Sequence, residues 1–172
     1  VSKLRSTPQR TGFFAGGYLR VCKEKSVKAW ETLMDQLALD PDVRDLVPEL
    51  TWRCGTTDRG ARRVLGLAQE GHVPADALVI FAYGGAMRDI DEAVIRAWLT
   101  YTLETQSMGL LVAGLDLLDC YYKRGEHGQR PLPDVTPAFV LHPAFVNSTK
   151  SLGSMDEYAW AWVQVALAFL EQ

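Results

Sequence analysis

The hydrophobic and polar positions of this chain follow two periods, which together predict an alternation of strands and helices. Residues 18–22 alternate between apolar and polar side chains, as a half-buried strand does. Residues 26–39, with Ser26 as the N-cap, instead place their apolar side chains three and four positions apart, as an amphipathic helix does. Three more short segments predict strands at residues 49–53, 78–83 and 138–141. We therefore expect an α/β (α+β) fold in which a mixed sheet is flanked by helices.

The second half of the chain predicts mainly helices. A helix over residues 90–105 follows Asp89, its predicted N-cap, whereas residues 109–118 fit either a buried strand or the start of a helix. Ser154 and Glu157 form the capping box of a C-terminal helix that is apolar around most of its circumference. Such a helix is buried in the core or shared with a partner, so core packing and a homodimer face remain alternative interpretations.

One stretch between two of the predicted strands concentrates positive charge at the start of a helix. This helix is predicted to begin with Asp58 as its N-cap and to end at Gly71, because Pro74 prevents it from continuing. Its first turn carries the arginines Arg59, Arg62 and Arg63.

The start of this helix has the chemistry of a phosphate site. Free backbone N–H groups and the helix dipole attract an anion, and Gly60 has no side chain that would keep a ligand away. The guanidinium groups of Arg62 and Arg63 are able to hold phosphate oxygens in a fork. Thr56 and Thr57 line the loop that leads into the helix. A solvated basic surface is the alternative interpretation.

Gly84 and three aspartates are the other candidate groups of this site. Gly84 follows the predicted strand 78–83, where ligands approach open α/β sheets, so its backbone either completes a phosphate cradle or forms a flexible turn. Asp58, Asp89 and Asp91 fall near predicted strand ends, where carboxylates would hold Mg²⁺ beside a phosphate. Helix capping is the simpler explanation for Asp58 and Asp89.

The arginine-bearing stretch resembles the ParB/sulfiredoxin superfamily. The resemblance is carried by Gly60-Ala61-Arg62-Arg63, then Gly71-His72, Pro74 and the apolar run 78–81, and it covers about residues 18–81. It implies a mixed sheet, nucleotide phosphates bound at the helix start, and one domain over residues 18–172 with a helical C-terminal extension, preceded by a basic arm of residues 1–17. The chain departs from the family at Ala61, where sulfiredoxins have the nucleophilic cysteine and many ParB proteins have glutamate.

Within this superfamily the chain is most similar to the plasmid fertility inhibition factors. That resemblance implies a protein that binds ATP, with Mg²⁺ as a further cofactor, and blocks DNA transfer through conjugative type IV secretion. It also implies ATPase and DNase activity, with Asp58, Arg62 and Arg63 as catalytic residues and with DNA, a coupling protein or a transfer substrate as partners. Two alternatives remain: a non-catalytic inhibitor that docks on the coupling protein, and a ParB-like DNA-binding protein.

Composition places the chain among ordinary globular proteins. It has 172 residues, 48% of them hydrophobic and 23% charged, which supports a sizeable core. No apolar run reaches the roughly 18 to 20 residues that cross a bilayer, and no apolar stretch follows the basic N-terminal residues as in a signal peptide. Cys22, Cys54 and Cys120 are too scattered for a disulfide framework or a zinc site. We expect a cytoplasmic protein, with a peripheral position at the inner membrane as the alternative.

The net charge of −3 conceals an asymmetry between the two halves of the chain. Up to Arg63 there are 12 Lys and Arg against 8 Asp and Glu, whereas from Val64 onward there are 6 against 13. The basic half contains the arginine-bearing helix, which favours an anionic ligand there. The chain has no Walker A motif, no H-E-x-x-H motif and no nucleophile–base pair that spacing alone reveals.

Overall fold

Helices make up all the regular structure in the part of the chain that the structure describes. The computed structural model describes residues 12–105, 107–123, 132, 134–148 and 157–170. Its α-helices are α1 Phe13–Lys25, α2 Val27–Leu39, α3 Val47–Cys54, α4 Asp58–Gln69, α5 Glu92–Thr105, α6 Met108–Tyr122, α7 Thr136–Val140, α8 Pro143–Ser148 and α9 Glu157–Leu170. Two further segments are 3₁₀ helices, Arg44–Leu46 and Ala75–Ala82. The predicted α/β fold with a mixed sheet is therefore wrong: the described residues form an all-helical fold and contain no strand.

Each segment that the sequence predicted as a strand lies wholly or largely in a helix. Residues 18–22 belong to α1, 49–53 to α3, 78–83 mostly to the 3₁₀ helix Ala75–Ala82, and 138–141 mostly to α7. Helix α3 shows the physical reason, because its buried positions are Val47, Pro48, Leu50, Thr51 and Cys54. Positions 47, 50, 51 and 54 are three or four residues apart, so the burial period of the whole segment is helical. Residues 49–53 alone are too few to reveal that period.

Helix α1 begins within the glycine-rich residues 11–17, which form the last part of the segment assigned to the basic arm. The helix starts at Phe13 and buries Gly16 and Leu19. A Cβ atom at position 16 would lie 3.0 Å from Cδ of Arg53, so the missing side chain lets α1 pack closely on α3. The thiol of Cys54 also donates a hydrogen bond to the carbonyl oxygen of Gly16 across this contact, at 3.5 Å. Tertiary packing thus outweighs the low helix propensity of glycine here.

Several helix ends agree with the sequence and two do not. The side chain of Ser26 accepts a hydrogen bond from the backbone N–H of Ala29 at 3.2 Å, so the predicted N-cap of α2 is confirmed. Gly71 follows α4 with a φ of 71°, a conformation that glycine adopts freely, so the predicted end of that helix is also confirmed. The predicted N-caps Asp58 and Asp89 are wrong, because Thr57 caps α4 and α5 begins only at Glu92.

The chain divides into two compact units, Val1–Val94 and Ile95–Gln172. In the first unit α1 packs on α2 and α3, and α4 packs on α2, α3 and the 3₁₀ helix Ala75–Ala82. The core of these contacts is formed by large side chains that are at most 1% exposed: Trp30, Met34, Leu50, Val64, Leu78 and Phe81. This unit contains every residue that the sequence singled out for phosphate binding.

In the second unit α6 packs against α7 and α9. Residues 109–118, which fitted either a strand or a helix, are helical. A Cβ atom at Gly114 would lie 2.6 Å from the ring of Phe139, so α6 approaches α7 closely at that point. Helix α9 buries Ala161, Val165 and Ala166. It is exposed at Trp160, Val163, Leu167 and Leu170, and the predicted homodimer face remains a prediction.

Some predicted features lie outside the described residues. They are residues 1–11 of the basic arm and Ser154 of the predicted capping box. In the parts that the structure does describe, no helix combines the length and the apolar character that crossing a membrane requires.

Candidate functional site

The start of α4 is closed by contacts within the protein. The hydroxyl of Thr57 accepts a hydrogen bond from the backbone N–H of Gly60 at 3.0 Å, which satisfies one of the groups expected to face an anion. Gly60 is buried, and a Cβ atom there would lie 3.1 Å from both Cγ2 of Thr51 and Oγ1 of Thr57. The glycine therefore lets α4 pack against α3, which is a structural reason for a residue without a side chain at this position.

Arg63 is a buried link between α4 and α2. Its side chain is 7% exposed, and its Nε donates a hydrogen bond to Oδ1 of Asp35 at 2.7 Å. Its Nη2 donates to the carboxylate of Glu31 and, at 3.3 Å, to the carbonyl oxygen of the same residue. The Glu31 side chain is itself only 6% exposed and also accepts a hydrogen bond from the hydroxyl of Thr57. Two carboxylates thus compensate a guanidinium that the sequence assigned to phosphate.

The three arginines have three different environments. Arg59 pairs with Asp35 and keeps 60% of its side chain exposed, whereas Arg63 is buried against the same aspartate. Arg62 is exposed and forms no ion pair with any described residue. Of the two arginines assigned to phosphate, only Arg62 therefore has a guanidinium without an ion pair to a described residue.

Of the other predicted site residues, Asp58 is the first residue of α4 and is joined to Asp91, whereas Gly84 lies in a separate turn. Asp58 accepts a hydrogen bond through Oδ1 from the backbone N–H of Asp91 at 2.8 Å, so it connects α4 to the segment before α5. Thr56 has a buried hydroxyl without a hydrogen-bond partner among the described residues. Gly84 has a φ of 66° in a turn, and a Cβ there would contact only the ring of Trp52. Among the described residues, no three His, Cys, Asp or Glu side chains are grouped so as to hold a metal ion.

A groove beside α4 gathers the charged groups that remain available. It has a volume of about 480 Å³, and Arg62 and Arg63 of α4 line it together with residues of α2 and of the segments around them. Its small and apolar lining residues are Ala38, Leu39, Gly66 and Leu67. Its charged and titratable lining consists of Asp35, Arg44, Arg62, Arg63, Glu70 and His72.

The charge balance in this groove favours an anion. Asp35 is already shared between two arginines of α4, and Glu70 lies 3.3 Å from Nε2 of His72. Neither Arg44 nor Arg62 forms an ion pair with a described residue, so two guanidinium groups line the groove without a carboxylate of their own. An arginine fork presents several N–H donors in one plane, which matches the oxygens of a phosphate or carboxylate.

Sequence reasoning assigned only Arg62 and Arg63 of this groove to ligand binding, and Arg44 and Gly66 are among the lining residues that it missed. Gly66 stands in the interior of α4, where glycine is unfavourable, and that position was the one available signal. It lies one helical turn after Arg62 and Arg63, and a Cβ atom there would meet no other atom within 4 Å. No sequence pattern links Arg44 to this groove, because Arg44 lies in a 3₁₀ helix eighteen positions before Arg62 in the chain.

The cysteines offer no reactive thiol in the groove. All three are free, and none lines this surface. Cys54 is buried between α1 and α3, and this burial raises the pKa of its thiol, which disfavours the thiolate that would act as a nucleophile.

The described residues define the class as an all-helical protein with a basic groove on its N-terminal unit. Comparisons of the chain with protein-family models, with curated proteins and with solved structures find no match. The resemblance to the ParB/sulfiredoxin superfamily therefore stays a prediction, and the mixed sheet that it implied is not present in the described part of the chain.

Proposed function

We propose that the protein binds a small phosphate-bearing ligand in the groove beside α4. The observation that carries this proposal is the presence of two guanidinium groups, those of Arg44 and Arg62, that line one groove without an ion-pair partner among the described residues. Arginine is favoured for phosphate because its fork forms two parallel hydrogen bonds. The proposed role is binding and does not include a covalent step.

The shape of the groove supports a ligand with an apolar part as well as an anionic part. Small-molecule sites commonly have volumes of about 300 to 1,000 Å³, and this groove, at about 480 Å³, falls within that range. Leu39 is 81% exposed at its edge, and Gly66 leaves the helix surface open. A nucleotide has both parts, so ATP, which the family resemblance implied, is the first ligand to test.

The experiment is a calorimetric titration of the full chain with ATP, ADP and inorganic phosphate. Arg62→Ala and Arg44→Ala should each weaken binding by about ten- to a hundredfold, because a hydrogen bond to a charged group contributes about 1.5 to 3 kcal/mol. Arg88→Ala is the matched control, since Arg88 is exposed and lies outside the groove. Unchanged affinity in both groove variants, or no binding of any of the three ligands at millimolar concentration, would overturn the proposal.

The inhibition of conjugative DNA transfer remains a prediction from resemblance. The fold through which the resemblance implied ATPase and DNase activity differs from the all-helical fold of the described residues. The proposal of phosphate binding therefore rests on Arg44 and Arg62 and does not extend to hydrolysis, to a coupling protein or to a transfer substrate.

A further inference from the structure

A second groove, between α1 and α3, is lined by exposed aromatic rings and arginines. Phe13 is 62% exposed and Phe14 is 89% exposed, and their ring centroids are 5.5 Å apart in an edge-to-face arrangement. Trp52 of α3 lines the same groove, together with Arg20 and Arg53. The groove has a volume of about 440 Å³. It shares no residue with the groove beside α4.

The aromatic residues of α1 lie on the face of the helix that the other described residues leave exposed. The buried face of α1 contains Gly16 and Leu19, which pack toward α2 and α3. Tyr18, one turn after Phe14, is 70% exposed, so the uncovered face is aromatic over more than one turn. Contiguous exposed apolar patches mark interaction sites, unlike single exposed hydrophobic residues.

Positive charge accompanies these rings. The Arg53 guanidinium lies 5.4 Å from the ring centroid of Phe13 and 5.8 Å from that of Trp52, while its Nε pairs with Glu49 at 2.7 Å. Arg20 is exposed, and its nearest carboxylate oxygen, on Glu24, is 3.9 Å away.

The residues that precede α1 in the sequence are also basic. The eleven residues before Gly12 include Lys3, Arg5 and Arg10 and no acidic residue. The positive charge of Arg20 and of the sequence before α1 complements a polyanion better than it complements an apolar protein helix.

We propose that the groove between α1 and α3 binds single-stranded nucleic acid through unpaired bases. Bases stack on aromatic rings such as those of Phe14 and Trp52, while arginines contact the phosphates. A Cβ atom at Gly17 would meet nothing within 4 Å, so the floor of the groove is open to a flat ring. A duplex does not fit this mode, because the faces of its bases are hidden in the stack. The two proposals involve separate surfaces and are tested separately.

The test measures the fluorescence anisotropy of a labelled 15-nucleotide oligo(dT) titrated with the full chain, beside a duplex of the same length. Phe14→Ala should weaken binding about tenfold, because one stacked base is worth roughly that much or more. Phe14→Tyr should bind the oligonucleotide as tightly as the parent protein, since it retains an aromatic ring at this position. Arg20→Ala should weaken binding and reduce its dependence on salt concentration.

Control variants distinguish base stacking from non-specific binding and from loss of the folded structure. Trp160→Ala removes an aromatic ring that is 62% exposed in the second unit, and Lys28→Ala removes an exposed charge from α2. Both should bind the oligonucleotide as the parent does. The far-ultraviolet circular dichroism of Phe14→Ala should be unchanged, because that side chain is almost fully exposed.

Three results would overturn the proposal. One is equal affinity for the duplex and the single strand, and another is a loss in Trp160→Ala as large as that in Phe14→Ala. The third is sedimentation with vesicles of phosphatidylserine and phosphatidylcholine without binding of oligo(dT), which would identify the aromatic and basic surface as a membrane contact.

Discussion

Replacing Arg63 by alanine should destabilise the protein far more than replacing its neighbour Arg62. Arg63 is 7% exposed and links α4 to Glu31 and Asp35 of α2. Without it, the Glu31 carboxylate, 6% exposed, stays buried and keeps only the hydroxyl of Thr57 as a side-chain partner among the contacts described above. Breaking a buried ion pair from one side costs about 3 to 5 kcal/mol, because the remaining charge is neither hydrated nor compensated.

The exposed position of Arg62 gives the comparison its reference. An exposed side chain without an ion pair changes stability by no more than about 0.5 kcal/mol when it is truncated. Both residues lie in the first half of α4 and gain the same helix propensity on substitution by alanine. The difference between the two variants therefore isolates the buried contacts of Arg63.

Urea unfolding followed by circular dichroism at 222 nm measures this difference. Hydrogen exchange of peptides from α2 and α4 should show faster exchange in Arg63→Ala than in Arg62→Ala, which assigns the effect to the first unit. The double variant Glu31→Met, Arg63→Met should recover most of the lost stability, because two apolar side chains leave no unpaired charge. A loss below about 1 kcal/mol in Arg63→Ala, or a loss equal to that of Arg62→Ala, would refute this account of α4.

Two other substitutions test the groove beside α4 and the second unit. Gly66→Ala should stabilise the protein by about 0.5 to 1 kcal/mol, because alanine replaces a glycine in the interior of a helix. It should also weaken phosphate binding, because the new methyl group enters the groove. Gly17→Ala, equally free of contacts, should stabilise α1 without changing phosphate affinity, and unchanged affinity in Gly66→Ala would contradict the proposed ligand position. Burial and the nearby Asp119 raise the pKa of Asp116, so its carboxylate costs stability above its unfolded pKa and the cost disappears as the pH falls below that value. Asp116→Asn should therefore raise the free energy of unfolding by up to about 0.5 kcal/mol near neutral pH and leave it unchanged near about pH 3. Urea titrations at the two pH values measure this difference, and an equal gain at both would contradict the assignment.

Several helix limits were predictable because their causes are local in the sequence. Ser26 caps α2 with its own side chain, and Gly71 ends α4 because glycine adopts a positive φ without strain. The helical periodicity of residues 26–39 and 90–105 was also long enough to be recognised, and both segments are largely helical. Such signals lie within a few residues of the feature that they produce.

The fold class was not predictable from short apolar runs. Residues 49–53 and 138–141 are shorter than two helical turns, so the hydrophobic pattern of four or five positions does not distinguish a strand from a short helix. Burial against other helices decides the matter, as the pattern of buried residues in α3 shows. The resemblance in the arginine-bearing stretch added to this error, because it implied a sheet.

The clustering of positive charge on α4 and the end of that helix are properties of neighbouring residues, so both are predictable from the order of amino acids. Which arginine is available to a ligand depends instead on contacts that form when the chain folds. Arg63 meets Glu31 and Asp35 from about thirty positions earlier in the chain, while Arg44 comes to line one groove with Arg62. Charge compensation depends on distances in space and on exclusion of water, and neither is written in the order of residues along the chain.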